Sequence, residues 1–265
     1  MKNLFLLCLF MFDILASSCF GQKDTTSIAG ISLENPTGLG GYLGTIGIGI
    51  AGQHKTRAGR KPDANAGVYI GLGDPLNYVG LGASLSISGL SNTRGTRNNL
   101  GESGVNVEIS KLIFNSVFLK AGICNITYLG ETYHEISAQR SFYGAGTVFL
   151  GFSSKKLGKP FSYIAITAGA GNGLFRKDKD FTPTSSGHFN PFLSIATPVL
   201  LKTNIIAEWT GYDISTGISS NIAYLIGVPL NFSLEITDYQ LGKLRCAMSI
   251  GYSFNVLKKH KYEKK

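Results

Sequence analysis

The stretch "NYVGLGASLSIS", residues 77–88, sets Val79, Leu81, Ala83, Leu85 and Ile87 on one parity. Tyr78, Gly80, Gly82, Ser84, Ser86 and Ser88 fall on the other. Successive side chains of a β-strand point to opposite faces, so this alternation predicts a strand. A half-buried strand of a water-soluble domain turns charged or long polar side chains toward water. Here the polar face has no charge and is mostly Gly and Ser. The question is which of the two faces meets protein.

The same pattern recurs. Ile46, Ile48 and Ile50 alternate with Gly47, Gly49 and Ala51, and Val68, Ile70 and Leu72 with Gly67, Tyr69, Gly71 and Gly73. It returns in 105–110, 117–124, 228–237 and 243–255, and in weaker form near 141–153, 161–172, 188–197, 202–210 and 212–221. These segments predict about twelve strands. Glycine supplies 34 of the 265 residues, which disfavours helices, since each helical Gly costs about 1 kcal/mol relative to Ala. Charged residues are only 15% of the chain, against roughly 25% in a typical soluble domain.

Residues 1–22, "MKNLFLLCLFMFDILASSCFGQ", have a positive start at Lys2, an apolar run from Leu4 to Phe12 and small residues before Gln22. This predicts a cleaved export signal. After it no apolar run reaches the roughly 18 residues of a membrane-spanning helix. Cys124 and Cys246 remain in the mature chain, either as a disulfide or as free thiols.

The connections alternate in length. "QHKTRAGRKPDAN", "GLSNTRGTRNNLGE", "ITYLGETYHEISAQR" and "GLFRKDKDFTPTSSG" are long; "DPLN", "FNS", "SSKKLGKP" and "TPVLLK" are shorter. The contrast fades at "GYD" and "DYQLGK". Long outer loops, short inner turns and strands of about ten residues are the pattern of a membrane-spanning barrel. The Val/Leu/Ile face then meets lipid and the Gly/Ser/Asn face the interior. Closure satisfies every backbone group, which hydrocarbon requires. The competing architecture is a secreted soluble β-sandwich, with apolar faces packed together.

Over about 41–255 the chain resembles bacterial outer-membrane β-barrels. The final strand "CAMSIGYSF" (246–254) looks like their assembly signal, although "NVLKKHKYEKK" follows Phe254. "AEWTGYDISTGIS" (207–219) is similar to a strand–turn–strand pattern of exopolysaccharide-linked and uncharacterised outer-membrane barrels, and implies no substrate. The expected fold is thus all-β: an antiparallel transmembrane barrel of about twelve strands in the outer membrane of a Gram-negative-type bacterium. The expected divisions are a signal (1–22), a periplasmic leader or plug (23–40), the barrel (41–255) and a basic tail (256–265).

Little in the chain points to catalysis. His54 and His134 fall in predicted loops, His260 in the tail, and His188 near a strand start, without a nucleophile motif. "GAGNG" and "IGLGDP" are not phosphate-cradling loops. No enzyme activity, cofactor or metal is expected. The net charge of +9 lacks the aromatic platform of a nucleic-acid binder. Instead His54, Lys55, Arg57, Arg60 and Lys61 are expected on an outer loop facing the phosphates of lipopolysaccharide. Outer-membrane lipid and the barrel-assembly machinery are the other expected partners.

Five charges fall on predicted inner faces: Glu108, Lys120, Glu208, Glu235 and Arg245. Counting back from the turns sets Glu108 opposite Lys120 and Glu235 opposite Arg245. The small-residue interior points to a small passive channel for ions or small solutes. The alternative is a filled barrel acting through its outer loops. In both, "KDTTSIAGISLENPTGLGG" (23–41) is either loose in the periplasm or held in the lumen beside the inner glycines.

Overall fold

The computed structural model describes residues 28–57, 62–90, 102–114, 116–129, 140–151, 159–177, 188–222, 226, 228, 230–240 and 244–257. The signal, the tail beyond 257, His134, Arg60 and Lys61 lie outside them. Twelve strands follow in order: β1 (Thr45–Gln53), β2 (Asp63–Gly73), β3 (Gly80–Ser88), β4 (Glu102–Ile113), β5 (Val117–Leu129) and β6 (Ser141–Gly151), then β7 (Tyr163–Gly171), β8 (Asn190–Leu200), β9 (Thr203–Trp209), β10 (Ile214–Asn221), β11 (Leu230–Thr237) and β12 (Arg245–Asn255). Every strand pairs antiparallel with its sequence neighbours, and β1 closes on β12 from Thr45↔Asn255 to Gln53↔Ala247. Closure excludes the sandwich.

The apolar parity points outward. Ile48, Val68, Leu81, Ile195, Ile205 and Met248 are 44–54% exposed around the outer wall. Such a band needs hydrocarbon around it, and the closed ladder leaves no edge for lipid to meet. Outward aromatic side chains flank the band. Tyr78, Phe114 and Phe161 lie by the short turns, and Phe142, Phe189 and Tyr239 lie at the opposite end of the barrel, all well exposed. Near the turns, outward-facing Tyr252 and Phe254 stack with centroids 5.3 Å apart. This is the surface of a transmembrane barrel.

Several expectations shift in detail. The strand expected over 77–88 begins at Gly80, because Asp74 caps the turn: its carboxylate accepts from the Leu76 and Asn77 amides. The "TPVL" stretch belongs to β8, which carries a register shift between Pro198 and Leu200. A shift between Val105 and Val107 lengthens β5 locally, where Asn125 donates its amide to Asn106 Oδ1. Cys124 is on the inner face of β5 and Cys246 on the outer face of β12, so the disulfide alternative fails and both thiols are free.

The inner faces are unequal. Those of β1, β2, β3 and β12 carry mainly Gly, Ala, Ser and Asn. Those of β5 to β9 carry Phe118, Phe149, Tyr163, Phe192 and Ile206, all buried. Apolar residues on both parities blur the alternation, which is why the middle strands read weakly.

Neighbouring residues of β12 test the face assignment. Ile250, outward and 40% exposed near mid-strand, should on substitution by Arg cost about 2–4 kcal/mol of folding free energy in lipid vesicles. Ser249→Arg, one residue away and facing the interior, should cost a small fraction of that. Equal costs in urea titrations of folding would contradict the assignment.

Candidate functional site

The segment before β1 enters the barrel. Ile28 to Leu33 climbs from the short-turn end, Glu34 and Asn35 form an apex near the long-loop end, and Pro36 to Tyr42 descends to β1. On the way up, Gly30 donates its amide to Ser219 Oγ at 3.0 Å, and Asn204 Nδ2 donates to the Gly30 carbonyl at 2.9 Å. On the way down, Gly38 donates to Thr147 Oγ1 and Gly41 to the Tyr69 hydroxyl, both at 2.8 Å. Ile28, Ile31, Leu33 and Leu39 pack against Phe118, Phe149, Tyr163 and Ile206. The "PTGLGG" glycines permit the approach: a Cβ on Gly38 would collide with the Phe118 carbonyl, and one on Gly40 with Ser110 Oγ.

Glu208 anchors the apex. One carboxylate oxygen accepts from Ser32 Oγ (2.7 Å), Ser194 Oγ (3.0 Å) and the Leu33 amide (3.1 Å). The other accepts from the amides of Glu34 (2.6 Å) and Asn35 (3.4 Å). Three successive amides thus form a concave donor set around a carboxylate. Asn35 also donates to Ser194 Oγ and the Trp209 carbonyl at 2.9 and 3.0 Å. Glu208 therefore lies on the inner face, 4% exposed, as an anchor rather than a charge on the solvent path.

Glu34 belongs to a second network. Its carboxylate accepts from Arg245 Nη2 at 2.8 Å and from the Tyr212 hydroxyl at 2.7 Å. Arg245 Nε donates to Asp238 at 3.0 Å and Nη1 to Gln53 at 2.6 Å. Tyr212, in the turn between β9 and β10, has its hydroxyl pushed well above the ordinary phenol range by burial and by the Glu34 carboxylate. It stays a donor. The Arg57 guanidinium lies 3.2 Å from the Tyr212 ring centroid and donates to the carbonyls of Leu174 and Arg176. This corrects the lipopolysaccharide-facing expectation for Arg57, which turns inward because an aromatic face and two carbonyls satisfy its charge there. Of the same loop, His54 is exposed and its Nδ1 takes the Cys246 amide at 2.9 Å, Lys55 is half-buried, and Arg60 and Lys61 lie outside the described residues.

The expected pairs are each displaced by two residues. Glu108 stands opposite Gly122, yet Lys120 reaches it diagonally at 2.9 Å. Tyr69 and Tyr143 also donate to Glu108, at 2.9 and 3.2 Å. Glu235 stands opposite Ala247, and Arg245 opposite Thr237. Arg245 pairs instead with Glu34 and Asp238. Register counted from the turns kept the parity but missed the position. Glu34, Tyr212, Asp238 and Gln53 were not singled out from sequence. The signal available was the set of apolar residues at 28, 31, 33 and 39, which an exposed leader has no reason to carry.

Two cavities remain beside the re-entrant segment. The larger, about 560 Å³, is lined by inner residues including Gly47, Gly67, Tyr69, Ser86, Ser249 and Ser253. The smaller, about 200 Å³, lies toward the long-loop end among Glu34, Gln53, Ser233, Glu235, Arg245 and Ala247. Both are lined by Ala51, Asn65 and Ser249. Of the inner glycines expected to make room for the re-entrant segment, Gly71 does so, since a Cβ there would meet Gly41 and the Tyr42 carbonyl, whereas Gly47, Gly49 and Gly67 line the larger cavity. By its own geometry the chain is a closed twelve-stranded antiparallel barrel with an apolar outer band.

No family model matches the chain, and no curated protein matches it. Among solved structures it is similar to the KdgM porin in complex with disordered oligogalacturonate, at 12% identity and a TM-score of 0.44, covering 80% of this chain and 99% of that one. A likeness of that degree says nothing of what this chain binds.

The anchor can be tested. Glu208→Ala would leave the amides of Leu33 and Glu34 without their acceptor. It should cost about 3 kcal/mol or more in chemical unfolding, and should make residues 28–40 cleavable by added protease. An unchanged midpoint and a protected segment would show that Glu208 does not hold the segment.

Proposed function

We propose that the protein is a narrow passive channel of the outer membrane, carrying ions and small polar solutes along the wall formed by β12, β1, β2 and β3. One observation supports this above all: the two cavities share Ala51, Asn65 and Ser249, so one path runs from near Gly47 at the short-turn end to Gln53 at the long-loop end. Side chains there are small, and none of the larger cavity's lining residues carries a formal charge. The outer band suits lipid, the apparent signal suits export, and the final strand suits the assembly machinery. The reading keeps the expectation that Lys55, Arg60 and Lys61 meet lipopolysaccharide phosphates; Arg60 and Lys61 lie outside the described residues. Nothing in it requires catalysis or a cofactor.

The filled-barrel reading is favoured by Arg57, which links the β1–β2 connection to Leu174 and Arg176 on the far side of the mouth. The same experiment separates the two. Mature protein folded into planar bilayers should give discrete conductance steps. Gly67→Phe should reduce the step severalfold in a barrel that still folds. A Cβ at Gly67 meets only the Leu85 carbonyl oxygen, at 3.6 Å, so the ring has room to extend into the larger cavity. A silent but folded parent barrel would refute the channel and leave the filled barrel.

A further inference from the structure

The smaller cavity has carboxylates on two sides. Glu235 is on the barrel wall and Glu34 at the apex of the re-entrant segment, with Arg245 beside them. Their bonding is uneven. Arg245 directs Nε, Nη1 and Nη2 to Asp238, Gln53 and Glu34. Glu34 is held by Arg245 and Tyr212. Glu235 is only 7% exposed, and its Oε1 has no hydrogen-bond partner among the described residues. An unpartnered carboxylate oxygen in a site of low polarity interacts strongly with any passing charge.

We propose that this narrow stretch is a cation-preferring constriction, built jointly by Glu235 on the wall and Glu34 on the re-entrant segment. It rests on the channel reading and adds to it the class of solute. The two carboxylates outnumber the one guanidinium lining the cavity. A small monovalent cation gains the Glu235 oxygen as it sheds water. An anion finds no free donor, because Arg245 already directs all three of its guanidinium nitrogens to Asp238, Gln53 and Glu34. Acidic side chains at a pore's narrowest part favour cations in this way. The re-entrant segment then helps set selectivity as well as filling space.

The test is the reversal potential of the full mature chain across a potassium chloride gradient in planar bilayers. The parent should prefer potassium over chloride severalfold. Glu235→Gln, close in shape, should bring the ratio at least twofold nearer to unity while conductance persists. Glu102→Gln, a buried carboxylate outside both cavities that accepts from Tyr128, should leave the ratio unchanged. A parent that conducts without preference, or prefers chloride, overturns the constriction and leaves the channel standing. So does an unchanged ratio in Glu235→Gln, or an equal shift in Glu102→Gln. A folded parent without conductance removes the channel and the constriction together.

Discussion

Hydrocarbon offers no partner to a backbone amide or carbonyl, and the rest of the architecture follows from that. The chain must pair every strand on both sides, so β1 returns to β12 and the sheet has no edge. Closure in turn creates an interior. Its contents are set apart from the outer band, because successive residues of a strand serve two different surroundings. The inner parity therefore falls to small and hydrogen-bonding residues on one wall, and to aromatic residues on the other.

The asymmetry of the interior decides where the re-entrant segment sits. An irregular segment inside a barrel brings its own unpaired backbone groups, and these need partners as strictly as the strands do. Glu208, Thr147, Asn204, Ser219 and Tyr69 supply them. The aromatic wall gives Ile28, Ile31, Leu33 and Leu39 an apolar surface to cover. The opposite wall has no such surface, and there the two cavities persist. A single division of side-chain types thus both seats the segment and leaves the two cavities beside it.

The barrel was legible in the sequence because alternation is a local signal. Ile46, Ile48 and Ile50 against Gly47, Gly49 and Ala51 need only the geometry of one strand to be read. The parity of Glu108, Lys120, Glu208, Glu235 and Arg245 was legible for the same reason. Their partners were not. Lys120 reaches Glu108 across a diagonal that depends on how the turn at Phe114 consumes residues, and Arg245 finds Glu34, 211 positions away in the chain. Arg57 looked like one basic loop residue among five, and only the position of Tyr212 and the carbonyls of Leu174 and Arg176 turns it inward. Contacts between distant segments carry no local periodicity.

In the proposed channel the path runs beside a seated segment, not through the place it occupies. The hydroxyl oxygens of Ser32 and Ser194 lie 3.3 Å apart, close enough for a disulfide between cysteines at the two positions. The decisive measurement is conductance of Ser32→Cys/Ser194→Cys, with Cys124 and Cys246 replaced by Ser, recorded oxidised and then reduced. The bond should form in the membrane-folded protein, and the conductance step should be the same in both states. Failure of the bond to form, or a current that appears only after reduction, would show that the segment is not seated there or must leave for solutes to pass.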